Sequence, residues 1–234
     1  MPRHTHAYRS LTQPARLHLL REVQRRPGVL AQDLADRLGS PLNTVRDHLK
    51  VLVDEGLIVG DPQRRSSRGR PAIAYRPVTD PAESETAAKR VIDAAQRGAL
   101  LRSTIGDPVP AELDDRAVRQ LDVVYEHLED VGLQPRVDDR PGADAGALAI
   151  ELTPCALYAG GDEYETACEV HAALVRDLLR QSSGPLSLSG VDPFSTPTRC
   201  RLTLRDGDAD QLDGAEASVS VKSSPKDVLR EPGL

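Results

Sequence analysis

Three cysteines and one histidine are the residues of this chain best suited to chemistry. Twelve residues separate Cys155 from Cys168, and thirty-one separate Cys168 from Cys200. Thiolates are soft ligands that suit iron–sulfur clusters or zinc. His171 follows Cys168 by three positions, so on a helix both project from one face and make a bidentate anchor. The competing reading is that isolated cysteines act as small buried hydrophobes. Three is an odd number, and in a reducing compartment free, buried or metal-bound thiols are expected rather than disulfides. Covalent catalysis finds no support. There is no nucleophile elbow, no phosphate-binding glycine loop and no His-Glu-x-x-His, and the acidic residues are scattered. The chain reads as a protein that is not an enzyme.

These donors need elements to hold them. Apolar spacing predicts a helix from Asp114 to Val131, with Val118, Leu121, Val124, Tyr125 and Leu128 inward and Gly132 ending it. Residues 134–137 and 147–152 read as strands, 165–180 as a further helix, and 186–191 and 199–204 as two more strands. Cys155 then ends a strand, Cys168 lies early on a helix and Cys200 opens a strand. Helix, hairpin, helix and strands make a small α+β sensor domain over 111–205. Residues 206–234 are weakly patterned and predict a poorly ordered tail.

The N-terminal third carries a different pattern. A helix is predicted over 14–25, closed by Pro27-Gly28, and a second over about 30–38, with Leu30, Leu34 and Leu38 on one face and Gly39 as a left-handed stop. Ser40 is expected to cap a third helix that begins at Pro41. Val45, Leu49 and Leu52 form its inner stripe, which turns Asn43, Thr44, Arg46, Asp47 and Lys50 outward. His48, beside that stripe, suits packing or a phosphate contact. Two short strands follow, at 57–59 and 72–75, around a loop that carries Arg64, Arg65, Arg68 and Arg70. Helix-turn-helix followed by a basic hairpin is a winged helix over 1–78, and its partner is double-stranded DNA. Asn43, Thr44 and Arg46 have the chemistry to read base edges in the major groove. Lys50 suits a phosphate, and the wing arginines suit phosphates or a narrow minor groove.

Between the halves, Pro77–Pro81 reads as a hinge. Residues 79–110 read as a linker whose long helix carries Val91, Ile92, Leu100 and Leu101 as a dimer seam, because operators are read as half-sites by two-fold dimers. The fold class is therefore α+β: a winged helix-turn-helix, a dimerisation helix and a small C-terminal domain. Charge agrees with this division. Residues 1–78 hold 14 Lys and Arg against 7 Asp and Glu, a net of +7, while the rest hold 16 against 29, a net of −13. No apolar run approaches the ~20 residues that span a bilayer, and the N-terminus lacks a signal-peptide core, so a cytoplasmic protein is expected.

The stretch TVRDHLKVLVDEGLIV followed by RGRPAIAY resembles winged-helix bacterial regulators of the ArsR/DeoR-like group. LTPCALY, ACEVHAALVRDLL and DPFSTPTRCRLTL resemble the C-terminal half of SufR-type iron–sulfur-cluster transcriptional repressors. Cys155, Cys168 and Cys200 fall on that family's three cysteine positions. The resemblance implies a homodimer with one cluster per subunit, 4Fe–4S rather than 2Fe–2S, whose presence alters operator binding. The chain departs from the pattern at Ala156 and Leu157, which stand where the family has Pro and Phe, and at the Gly160-Gly161 pair. The fourth ligand is not given by the pattern. His171 is the first choice, then Asp162, Glu163 or Glu165, with His127 more remote. Two other readings keep the DNA-binding half: a Cys3His zinc site, structural or sensory, or a small-molecule effector with no metal.

Overall fold

The computed structural model describes residues 11, 13–63, 71–105, 113–138, 147–153, 164–196 and 199–206. The winged helix is built from α1 (Pro14–Arg25), β1 (Val29–Leu30), α2 (Ala31–Leu38), α3 (Leu42–Asp54), β2 (Ile58–Pro62) and β3 (Ile73–Pro77). Leu17, Leu20 and Val23 of α1, Leu34 of α2 and Val45, Leu49 and Leu52 of α3 form one core. The predicted helices therefore form where the apolar periodicity placed them. Gly39 closes α2 with φ of 59°, a conformation that glycine adopts without steric cost.

Three local expectations are corrected. Ser40 does not cap α3. Pro41 holds the N-cap position with no side-chain cap, and the Ser40 hydroxyl instead donates to Leu38 O at 3.4 Å. The two-residue strand β1 was missed. It pairs antiparallel with β3, Val29 opposite Tyr75, giving a three-stranded sheet in the order β1-β3-β2, and two residues are too few to show a period. Nor is the segment after β3 a free hinge. Val78 is fully buried, its N–H donates to Leu57 O at 3.2 Å and its carbonyl accepts from Gln181 Nε2 at 2.6 Å.

A short 3-10 turn, Pro81–Glu83, leads into α4 (Glu85–Ile105). The C-terminal part comprises α5 (Asp115–Asp130), β4 (Gln134–Asp138), β5 (Ala147–Thr153), α6 (Tyr164–Gln181), β6 (Leu186–Thr196) and β7 (Arg199–Asp206). The four strands form an antiparallel sheet in the order β4-β5-β7-β6. Leu121, Val124 and Leu128 of α5 and Ala172, Val175 and Leu179 of α6 pack on Ile150, Leu152, Leu202 and Leu204. This gives two layers, helices over sheet, around one apolar core.

Gln120 locks the α6–β6 turn. Its Nε2 donates to Leu179 O at 2.9 Å and Leu186 O at 3.0 Å, and its Oε1 accepts from Leu186 N at 2.7 Å. The turn runs so close that a Cβ at Gly184 would lie 2.3 Å from Gln120 Oε1.

α6 has two apolar faces. One faces the sheet; the other, formed by Ala167, Val170 and Leu174, enters the core of the winged helix itself. Burying apolar surface on both sides of one helix ties the C-terminal part to the reading head.

Candidate nucleic-acid interface and thiol site

The stripe of α3 that faces its core leaves Asn43, Thr44, Arg46, Asp47 and Lys50 exposed. The structure thus places the candidate base-reading residues Asn43, Thr44 and Arg46 together on the first two turns of α3. Arg46 NH1 donates to Asn43 Oδ1 at 3.5 Å. Lys50 lies one turn further along. Between α3 and the wing lies a groove of about 760 Å³. Arg46, Lys50, Gln32, Ile73 and Tyr75 are among the residues that line it. Two cations on one wall of a concave surface suit a polyanion.

Gln32 and Tyr75 were not singled out from the sequence. Gln32 lies in the first turn of α2, the helix that crosses the DNA backbone in helix-turn-helix proteins, and its Nε2 donates to Asp36 Oδ1 at 2.9 Å. That position was the available signal. Tyr75 reads as a strand residue, and only the packing of β3 beside α3 turns it to the groove. Burial pushes its hydroxyl pKa up, with the Arg46 guanidinium pulling the other way.

Arg64, Arg65, Arg68 and Arg70 lie outside the described residues. At the base of the wing, Arg76 is already engaged. Its Nε is 2.8 Å from Asp61 Oδ2, and its NH2 is 2.6 Å from Glu83 Oε1. These bonds raise the pKa of Arg76, and Arg76 in turn holds the Glu83 carboxyl below the usual range. Its role is to brace the wing.

Residues 11–61 match the helix-turn-helix domain family. That match supports a DNA-binding transcriptional regulator. It covers α1 to α3 and most of β2, the part of the chain that carries Asn43, Thr44, Arg46 and Lys50. No curated protein and no solved structure matches the chain. Among the described residues, no helix is long and apolar enough to cross a membrane.

The candidate thiol site lies in the C-terminal layers. Cys168 and Cys200 are both buried. Cys168 is on α6 and shares a helix face with Val175 and Leu179, which pack on the sheet. Cys200 stands on β7 opposite Leu152 of β5, its side chain in the same core as Leu202 and Leu204. Heights along the layers agree. From the turn that joins α6 to β6, Cys168 lies thirteen residues back from Gln181, about 20 Å at helical rise. Cys200 lies six residues back from Asp206, which pairs with Leu186 beside the same turn, also about 20 Å at strand rise. Cys200 therefore sits toward the end of the sheet where β5 leaves it, and Cys168 toward the N-terminal end of α6. Cys155, three residues beyond Leu152, lies outside the described residues, as do Asp162 and Glu163. Glu165 is on the exposed side of α6.

His171 is buried, and its Nε2 has no hydrogen-bond partner among the described residues. Burial brings its pKa down to about 4, so the imidazole is neutral at physiological pH with a lone pair to offer. His127 of α5, the remotest candidate in the sequence, is fully buried and packs against it, with ring centroids 5.3 Å apart. Nothing in the sequence pairs these two, which stand on different helices. Among the described residues, no group of three His, Cys, Asp or Glu side chains is arranged to hold a metal ion. Two buried thiols and an imidazole with an unused nitrogen are nevertheless the donor chemistry that a thiophilic centre needs, so the residues fit such a group in kind.

Proposed function

We propose that the protein is a transcriptional repressor that binds its operator as a homodimer and is controlled by an iron–sulfur cluster in its C-terminal domain. Cys155, Cys168 and Cys200 would hold the cluster, with His171 as the fourth ligand and 4Fe–4S as the cluster type. When bound, such a cluster supplies a redox-sensitive and oxygen-sensitive link between elements. The observation that carries this reading is the set of donors in the C-terminal layers: Cys168 and Cys200 buried, and His171 with a buried, unpaired Nε2.

The dimer reading rests on α4. Its Ile92 and Leu100 are 55% and 65% exposed, on the side turned away from α5. A second copy that covers this face would set two reading heads at a fixed half-site spacing. The linker over 79–110 then acts as the dimerisation element, between a winged helix at 1–78 and the sensor part at 111–205.

The test is an absorption spectrum with iron, sulfide and zinc analysis, on protein purified without oxygen. Iron and sulfide together, with a broad visible band that bleaches in air as operator affinity changes, support the reading. Zinc alone replaces the cluster by a Cys3His zinc site. Metal-free, colourless protein that still binds its operator removes the metal from the function and leaves a small-molecule effector.

A further inference from the structure

The helix that carries Cys168 and His171 also grips the reading head, and the grip falls on the residues between them. Glu169 is held by two arginines of α1: Arg21 Nε at 2.6 Å and Arg25 NH2 at 3.0 Å. Arg21 NH1 also donates to Thr166 Oγ1 at 3.2 Å, and Gln24 Nε2 donates to Val170 O at 3.4 Å. Beneath these polar bonds, Ala167, Val170 and Leu174 lie in the same core as Leu17 and Leu20 of α1 and Leu49 of α3. At the far end of α6, Gln181 Nε2 holds Val78 O, directly after the wing strand β3. One helix thus braces both the α1–α3 pair and the base of the wing.

We infer that Glu169 is a positioning residue for operator binding: it transmits the state of the Cys168–His171 face to the DNA-reading helices through Arg21 and Arg25. The coupling half of this inference rests on the proposed ligand-controlled function; the positioning half does not. A helix moves as a unit. A group that draws Cys168 or His171 toward the sheet also moves Glu169 and Val170, which lie between those donors in sequence and on the opposite side of the helix. Paired guanidinium–carboxylate contacts are directional, so a displaced Glu169 carries α1 with it, and α1 packs directly on α3. Two sites are then coupled through a contiguous packed element.

Glu169→Gln keeps the shape of the side chain and removes its charge, and three readouts separate the possibilities. The first is hydrogen exchange of α1 amides in cluster-free protein, expected to rise at least about threefold as the brace loosens. The second is the slope of log operator affinity against log salt, which counts phosphates neutralised and should not change if Glu169 acts only by positioning. The third is the ratio of operator affinities with and without the cluster, expected to fall at least about threefold toward unity. Glu22→Gln, which breaks the exposed Glu22–Arg26 pair on the same helix, should move none of them.

Unchanged α1 exchange overturns the positioning role, and a changed salt slope shows instead that freed Arg21 and Arg25 reach DNA. A wild-type affinity ratio in Glu169→Gln, with exchange raised, overturns the coupling alone. If the wild-type protein itself has a ratio of one, the ligand-controlled reading and the coupling fall together, and exchange still decides whether Glu169 positions the head. Should Glu169→Gln fail to fold, Arg25→Gln removes the more exposed half of the brace and is read in the same way.

Discussion

The imidazole rings of His127 and His171 meet inside the C-terminal layers, their planes tilted by 38°. Both are buried, so the pair fills volume that apolar side chains would otherwise occupy. Truncation should leave a cavity. His127→Ala is expected to cost about 2–4 kcal/mol of stability by urea denaturation. If His171 is the fourth ligand, His171→Ala should additionally lower bound iron per subunit, whereas His127→Ala should not. Equal iron loss in both variants would move the ligand assignment.

Asp177 gives a pH signature. It lines a cleft of about 230 Å³ between α6 and the base of the wing, with Arg176 and Arg180 on its own helix and Arg76 on β3. Burial raises its pKa from 3.8 to about 7, against the pull of Arg180 and Arg176. A raised folded-state value means that the folded protein holds the proton more tightly than the unfolded chain. Its stabilising contribution is therefore complete below about pH 4 and is lost as pH rises through 7. Asp177→Asn should be neutral or slightly destabilising at pH 4–5. It should be more stable than wild type at pH 8, by a difference on the order of 2–4 kcal/mol across the range. A stability difference that stays flat between the two pH values would show that Asp177 is not protonated in the fold.

Gly98 allows α4 to lie against α5. A Cβ there would stand 2.1 Å from Asp122 Oδ1, and Asp122 is the buried partner of Arg102, whose NH2 is 2.9 Å from its Oδ2. Alanine usually favours a helix by ~1 kcal/mol over glycine. Here the clash wins, and Gly98→Ala should destabilise by about 1–3 kcal/mol in thermal or urea unfolding. A more stable variant would mean that α4 sits further from α5.

Arg46 and Lys50 line the same groove but should fail differently. Arg46→Ala should lose about 1–3 kcal/mol of binding and relax sequence preference at one operator position. Lys50→Ala should weaken all sequences alike and reduce the salt slope by about 1. Selection from a randomised duplex pool, followed by titration at several salt concentrations, distinguishes them. Identical effects of the two variants would remove Arg46 from base reading.

Ile92→Glu with Leu100→Glu places two charges on the exposed face of α4. If that face is the dimer seam, sedimentation should show a monomer whose circular dichroism is unchanged, with operator affinity reduced at least about tenfold through loss of the second half-site. A variant that remains dimeric puts the interface elsewhere.

The local pattern of the chain was enough for the reading head and for most elements after it. Leu34 and Leu38 before Gly39, and Val45, Leu49 and Leu52 after it, state a helix-turn-helix because helical period, chain reversal and outward polar face are properties of neighbouring residues. The alternation of Ile150 and Leu152, and of Cys200, Leu202 and Leu204, likewise marks half-buried strands. What the sequence could not state is which distant faces meet. His127 and His171 are 44 positions apart and Glu169 is 148 from Arg21, and no periodicity links them. Their contacts arise only when α6 packs on the sheet with one face and on α1 with another. The same packing turned Val78 from an expected hinge into a fully buried anchor. Secondary structure follows from short-range period and turn chemistry, whereas these contacts depend on how whole layers bury their remaining apolar surface, and that was decided by the tertiary structure alone.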